Sequence, residues 1–280
     1  MLQQTSLSSR LWSFGVWTVI VLFVLNLIGL IASVVTSSFA TRWLGTWLPS
    51  GWTPSWYLSA WNEFQLGDIL TVTFEIVLLV VVLAGLIGVP AAYAMARREF
   101  PGKKLVMLLF LAPLLVPPIT YGIPLATVLY KTGLAGTMSG VVLANLVPTL
   151  PFVILVMIPY IEQIDPRIEA AARVFGANTP KLFRHVLLPL LAPGVLAALL
   201  LALVRTIAMF ELTFLTNGPT TQTLVVALYY AVFAAGVRSV QSIDAMAVIY
   251  MVTSMIWLLI ALRFVNPTQI VARARKDPAK

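Results

Sequence analysis

Long apolar runs separated by short polar segments dominate this chain. A membrane helix needs roughly 20 mostly apolar residues, at 1.5 Å per residue, to cross about 30 Å of hydrocarbon. Six stretches meet that requirement: approximately Leu11 to Val35, Leu70 to Met95, Lys104 to Tyr130, Met138 to Ile161, Leu187 to Leu215 and Ile243 to Phe264. The pattern predicts an all-α, polytopic membrane protein with six transmembrane helices. Its expected parts are a first helix with a Trp-rich outer loop over 1–69, a five-helix core over 70–264 with a polar loop at 162–189, and a basic tail over 265–280. Ser38-Phe39-Ala40 has the small-x-small form of a signal cleavage site, but the apolar run before it is far longer than a signal core, so the helix is read as retained. Leu224 to Ala235 is too short to cross unaided, which predicts a re-entrant, interfacial or buried segment behind the Thr216-Asn217-Gly218-Pro219 turn.

Proline and tryptophan refine this map. The third span holds Pro113, Pro117, Pro118 and Pro124, so its hydrogen-bond ladder must break and the helix must bend. Such a break lines a translocation path or is a packing kink, because irregular backbone persists in membranes only where protein or water satisfies it. Trp43, Trp47, Trp52, Trp56 and Trp61 crowd the loop after the first span, either as an interfacial belt or as a surface for a partner, and Pro49 and Pro54 argue against one continuous helix there. Gly136 and Gly140 have the G-x-x-x-G spacing but lie at a span entrance.

Composition narrows the chemistry. The chain is 60% hydrophobic and 10% charged, with 18 Lys plus Arg against 10 Asp plus Glu for a net charge of +8. Soluble proteins carry about 25% charged residues, so the basic balance is read against lipid rather than nucleic acid. Zero cysteines and the single His185 leave no thiolate or His-based metal site and no acid/base pair around histidine. Gly102-Lys103-Lys104 lacks the upstream glycine and the hydroxyl residue of a phosphate-binding loop, so any ATP must bind another chain. With both termini in the cytoplasm, all of the 18 basic residues fall on the inside except Arg42, Lys131, Arg238 and the span-borne Arg205. That asymmetry is the one cytoplasmic loops carry.

Three ionisable residues lie within spans: Glu75, Arg205 and Glu211. Each costs roughly 2.5–3.5 kcal/mol at the bilayer centre on insertion scales, so each should face protein or water. Glu75 is near a span end and is read either as a solvated end or as a path residue. Arg205 and Glu211 are six apart, about 9 Å along a helix and on different faces, which argues against their pairing with each other. Glu211 is a candidate to attract a cationic solute, or a charge paired with a neighbouring helix.

The polar loop runs from Ile164-Asp165-Pro166 through Glu169-Ala170-Ala171-Ala172 and Gly176 to Leu187-Leu188-Pro189. Asp165 with Pro166 is a helix start, Gly176 a stop, and Thr179 with Pro180 a second start, predicting two short helices. This segment resembles the EAA loop of type I ABC importer permeases: E-A-A, three residues, Gly, nine residues, then I-x-L-P. Gly176 to Pro189 matches that spacing, whereas the glutamate position falls on Ala170 and Glu169 stands one place earlier. The resemblance covers about Leu70 to Phe264 and is most similar to permeases of the spermidine/putrescine and opine type.

The resemblance implies the type I importer permease fold in a bacterial inner membrane and a role without catalysis of its own. It implies a coupling surface at Glu169, Ala170, Ala171, Ala172, Gly176, Phe183, Arg184 and Pro189, with Glu169 contacting the ATPase. It also implies a second permease subunit, preferably unlike this one, two ATP-binding cassette subunits that hold ATP and Mg, and a periplasmic or extracellular solute-binding protein. The expected solute is small and polar, polyamine-like or opine-like, with a sugar as the alternative. A stand-alone channel or secondary transporter would need an inverted repeat with paired broken helices, which the chain lacks.

Overall fold

A computed structural model describes residues 7–44, 46, 48–233 and 238–264, and in them the regular structure is helix apart from one isolated bridge. The helices are α1 (Leu7–Phe39), α2 (Ser55–Glu63), α3 (Leu66–Arg97), α4 (Lys103–Leu115), α5 (Pro118–Lys131), α6 (Met138–Glu162), α7 (Pro166–Val174), α8 (Thr179–Leu182), α9 (Leu188–Ile207), α10 (Glu211–Thr216), α11 (Leu224–Phe233) and α12 (Val240–Phe264). Five helices are long and apolar enough to cross a membrane, or six if the bent pair α4 and α5 counts as one span. The chain divides into one compact unit of Met1–Gln65 with Ala231–Met251 and another of Leu66–Tyr230 with Val252–Lys280.

In the first unit, α1 runs unbroken through Phe39 and leads into a short turn-back. Ala40 pairs with Trp52, and the Trp56 indole donates to the Ala40 carbonyl at 2.8 Å. Helix α2 begins only after Pro54, as a proline at that place dictates. Trp43, Trp52 and Trp61 are exposed, and Trp47 lies outside the described residues. The Glu63 carboxylate takes Arg238 at 3.1 Å on one oxygen and the Ser242 hydroxyl at 3.1 Å on the other, while the Arg238 guanidinium lies 4.6 Å from the Phe64 ring centre.

The second unit is built on α3. Small residues Ala84, Gly88 and Ala92 recur every four positions on its buried face and bring α6 close. A Cβ on Gly88 would lie 3.0 Å from Val153 Cγ1. Farther along the same pair, Ile76 and Val80 pack on Val141 and Val142, and α9 packs against both helices. The α11 amide of Leu224 donates to the Thr73 hydroxyl at 2.9 Å, and Trp257 of α12 stacks on Phe74 at 5.6 Å.

Three expected elements take a different form. The stretch read as a third span is two helices meeting at 103°. Val116, forced out of helical space by the proline after it, is extended at φ −91, ψ 136, and Pro117 follows at φ −54, ψ 133. Pro118 then opens α5, where its missing amide costs no hydrogen bond. The stretch read as a fifth span is also interrupted: α9 ends at Ile207, residues 208–210 are non-helical, and α10 starts at Glu211. The second loop helix does not stand alone, since a π turn over Phe183–Leu187 carries it into α9.

The short run after the turn forms the ten-residue helix α11. Gly136 and Gly140 do not mark a helix crossing. Gly136, at φ +80, sits on the turn before α11: its amide donates to the Thr216 carbonyl at 2.8 Å, and a Cβ on Gly218 would lie 2.6 Å from its oxygen. Two backbones touch here where no side chain fits.

A bulky residue on the small stripe should separate α3 from α6. Gly88→Leu is expected to lower the unfolding temperature of the detergent-purified chain, at a cost of about 1–3 kcal/mol for overpacking, whereas Leu86→Ala on the exposed face of α3 should change it little. Thermal unfolding of both variants is the check.

Candidate functional site

The polar loop is assembled by local signals. The Asp165 carboxylate caps α7 by accepting the Arg167 amide at 2.8 Å, with Pro166 at the first helical position. Gly176 ends the helix at φ +84, and the Ala177 amide closes back on the Ala172 carbonyl at 3.0 Å. The next start uses Asn178 rather than Thr179: the Asn178 side chain accepts the Lys181 amide at 3.0 Å, which moves the cap one residue earlier than the threonine-proline signal placed it.

The carboxylate of Glu169 decides how this loop sits. Glu169 is only 9% exposed, on the inner face of α7. It accepts the Arg97 Nε at 2.8 Å and the Tyr93 hydroxyl at 2.5 Å, both from the end of α3. Arg97 also donates through Nη2 to the Ile164 carbonyl just before the cap, so one guanidinium ties both the start and the middle of the loop to α3. Phe183 meets the Tyr93 ring edge-on at 6.1 Å. Of the residues expected to form the coupling surface, Glu169 and Phe183 thus face α3, whereas Ala170, Ala171, Gly176, Arg184 and Pro189 are exposed and Ala172 is half-buried. The most exposed large side chains of the loop are Val174 and Phe175, at 85% and 91%.

Neither Tyr93 nor Arg97 was singled out by the sequence for this role. Their spacing of four places them on one helical face, and only the fold shows that this face meets α7. Val174 and Phe175 were legible as an apolar pair ahead of a stop glycine, but nothing local distinguishes an exposed pair from a buried one.

A second group lies around the interruption between α9 and α10. Arg205, near the end of α9, places its guanidinium 5.1 Å from the centre of the Phe152 ring on α6. Glu211 is the first residue of α10. Both are half-buried, and neither has an ion pair or hydrogen-bond partner among the described residues. Tyr121 of α5 packs against the Leu129, Ala144, Met209 and Leu212 cluster, and its buried hydroxyl has no partner among the described residues. Asn145 of α6, 1% exposed, donates to the Thr213 hydroxyl at 3.0 Å and to the Val141 carbonyl at 2.9 Å, which fixes α10 onto α6 and leaves its Oδ1 unpaired among the described residues. Phe210, Phe214 and Tyr229 form a ring cluster beside Glu211 with centroid distances of 4.9–5.2 Å. Glu75 sits on the exposed face of α3. Tyr121, Asn145 and the ring cluster escaped the sequence reading, although a lone asparagine inside an apolar span was a usable signal.

Removing Arg97 leaves a buried carboxylate whose strongest partner is gone. Arg97→Ala should destabilise the loop region by about 3–5 kcal/mol, and the double variant Arg97→Ala with Glu169→Ala should lose clearly less than the sum of the singles. Hydrogen exchange over residues 164–176 reads this as faster exchange in Arg97→Ala and partial protection in the double variant.

Comparison with known proteins agrees with this architecture. Residues 84–271 match the family described as "Binding-protein-dependent transport system inner membrane component". The chain is 32% identical over 192 residues to the sulfoquinovosyl glycerol transport system permease protein SmoH of Agrobacterium fabrum, covering 68% of this chain and 67% of that protein. It is 31% identical over 150 residues to the diacetylchitobiose uptake system permease protein NgcG of Streptomyces coelicolor, covering 54% of this chain and 50% of that protein. It is 32% identical over 154 residues to the molybdenum transport system permease protein ModB of Haemophilus influenzae, covering 49% and 67%. The chain thus spans about half the length of NgcG and about two thirds of SmoH and ModB. A bacterial ABC transporter that imports the acidic polysaccharide alginate has the same fold, with a TM-score of 0.73 at 19% identity over 97% of this chain and 99% of that one. With its six apolar segments, its bent span and its anchored polar loop, the chain belongs to the family of binding-protein-dependent transport system inner membrane components, the multi-pass, non-catalytic permeases of ABC importers.

Proposed function

We propose that this chain forms half of the translocation path of an ATP-driven, binding-protein-dependent importer, and that its 162–189 loop receives the mechanical stroke from a cassette ATPase. The carrying observation is the division of labour within α7. Its inner acid is held by α3, while Val174 and Phe175 stand outward as an uncovered apolar tip. An exposed aromatic beside an exposed valine on a basic loop suits insertion into a cleft of a partner protein. Glu169 then serves the stroke from inside, by keeping loop and α3 moving as one body, instead of by touching the ATPase.

The basic residues Arg167, Arg173, Lys181 and Arg184 support a cytoplasmic position for this loop, and with it cytoplasmic termini. The complex would contain a second, unlike permease and two ATPase subunits carrying ATP and Mg; a solute-binding protein is supported by the alginate ABC transporter solved in complex with its alginate pentasaccharide-bound periplasmic protein. The solute is small and polar. An opine-like molecule fits the two opposite charges at the α9–α10 break, and a sugar is supported by the names of SmoH and NgcG. A polyamine fits less well, because Arg205 would repel it.

Co-expression with cassette ATPase subunits tests the docking tip. Phe175→Asp should reduce ATPase recovery with the purified permease about tenfold or more, with membrane insertion unchanged. Glu169→Gln should retain most recovery and lose solute-stimulated hydrolysis. Equal recovery with Phe175→Asp removes the tip from the interface.

A further inference from the structure

The geometry points to a dipolar solute site at the α9–α10 break, in which Arg205 binds an anionic group and Glu211 a cationic group of one solute molecule, with the Tyr121 hydroxyl bridging between them. This deepens the reading of the chain as an importer permease and rests on it.

Four observations converge on the same place. Arg205 and Glu211 are ionisable residues of opposite sign inside the apolar segment, yet no ion pair joins them to each other or to any described residue. The non-helical residues 208–210 stand between them, so the backbone itself keeps the two charges apart. Tyr121 packs against Met209 and Leu212, which flank Phe210 and Glu211, and its hydroxyl is buried with no hydrogen-bond partner among the described residues. Asn145, almost wholly buried, holds α10 to α6 through Thr213, so the break is a fixed feature and not a frayed end.

Unsatisfied charges in hydrocarbon are expensive, and irregular backbone persists at membrane depth only beside protein or a water-filled cavity. A hydrated recess that a polar solute enters meets both needs. The charge pattern then selects. A diamine would face Arg205 with like charge, and an inorganic oxyanion would face Glu211 with like charge. An uncharged sugar would satisfy hydrogen bonds but leave neither charge neutralised. A solute with a carboxylate and a protonated amine or guanidinium satisfies Arg205 and Glu211 together. The phenol of Tyr121 accepts from the one and donates to the other. Phe152, already under the guanidinium, and Phe210, beside Glu211, supply flat apolar walls for its carbon skeleton.

The test uses the assembled permease–ATPase complex in detergent, with octopine, putrescine, trehalose and sulfate as probes of four charge classes. ATPase co-purification with the wild-type chain is read first, before any probe is added, and its failure strikes the permease reading rather than the site. Octopine is expected to raise the unfolding temperature in a saturable way, while the other three do not. Arg205→Gln, Glu211→Gln and Tyr121→Phe should each weaken the octopine midpoint about tenfold or more, and Arg205→Lys should recover part of the loss. Stabilisation by trehalose, putrescine or sulfate in place of octopine overturns the proposal, as does an octopine midpoint unchanged by the Gln variants or no stabilisation by any probe. Loss of the second permease from the purified Arg205→Gln or Glu211→Gln complex, with octopine binding intact, also overturns it, by assigning the charges to the subunit interface.

Discussion

In hydrocarbon a backbone amide or carbonyl without a partner costs several kcal/mol, so a spanning chain is helical wherever lipid reaches it. The organisation of this protein follows from that constraint. Its exposed first helix, α1, is uninterrupted, whereas two other apolar stretches break. The breaks are the 103° corner at Val116–Pro117, which is exposed, and the interruption at residues 208–210, where Met209 is buried, and α5, which leaves the corner, packs on α10, which leaves the interruption. The two irregularities therefore support each other, and Arg205 and Glu211, which have no ion pair among the described residues, flank one of them.

The loop obeys a different economy. A carboxylate almost removed from water is held by an arginine and a phenol, and the same arginine reaches a backbone carbonyl, so the group is satisfied on every side. A buried pair of this sort contributes little net stability but is costly to break from one side. Its value lies in position: it makes α7 a rigid extension of α3, and α3 is the helix against which α6 and α9 pack. In the proposed coupling role, force applied at Phe175 would reach the centre of the second unit through two polar bonds and a ring contact.

The elements legible in the sequence are those governed by local chemistry. The apolar lengths gave the spans, Pro117 and Pro118 gave the bend, and Asp165, Pro166 and Gly176 gave α7. Long-range partnership left no such trace. Glu169 reads on its own as a helix-start acid, and its partners 72 and 76 positions earlier became visible only when α3 and α7 were seen together. The same holds for Tyr121, which packs on α6 and α10, for Asn145, which bonds α10, and for the break after Ile207. No proline or glycine marks that break, and the polar environment accommodating it is assembled from distant residues. The cap at Asn178 was missed for a local reason: two adjacent residues both had capping side chains, and the one that reached the Lys181 amide won.

The π turn over Phe183–Leu187 is the only stretch among the described residues where the helical ladder widens to i→i+5 bonds. Its geometry is looser than that of the α-helix on either side. It lies between the anchored loop and α9, with its first residue against Tyr93 and its last fully buried. The connection from α7 to α3 runs through the Glu169–Arg97 and Glu169–Tyr93 bonds, whereas the connection from α8 to α9 runs through one wide turn. In the proposed coupling role a push on the loop would be transmitted unequally, driving α3 through polar bonds and reaching α9 only through that turn. The loop would then act as a clutch with a plate on one side and a spring on the other.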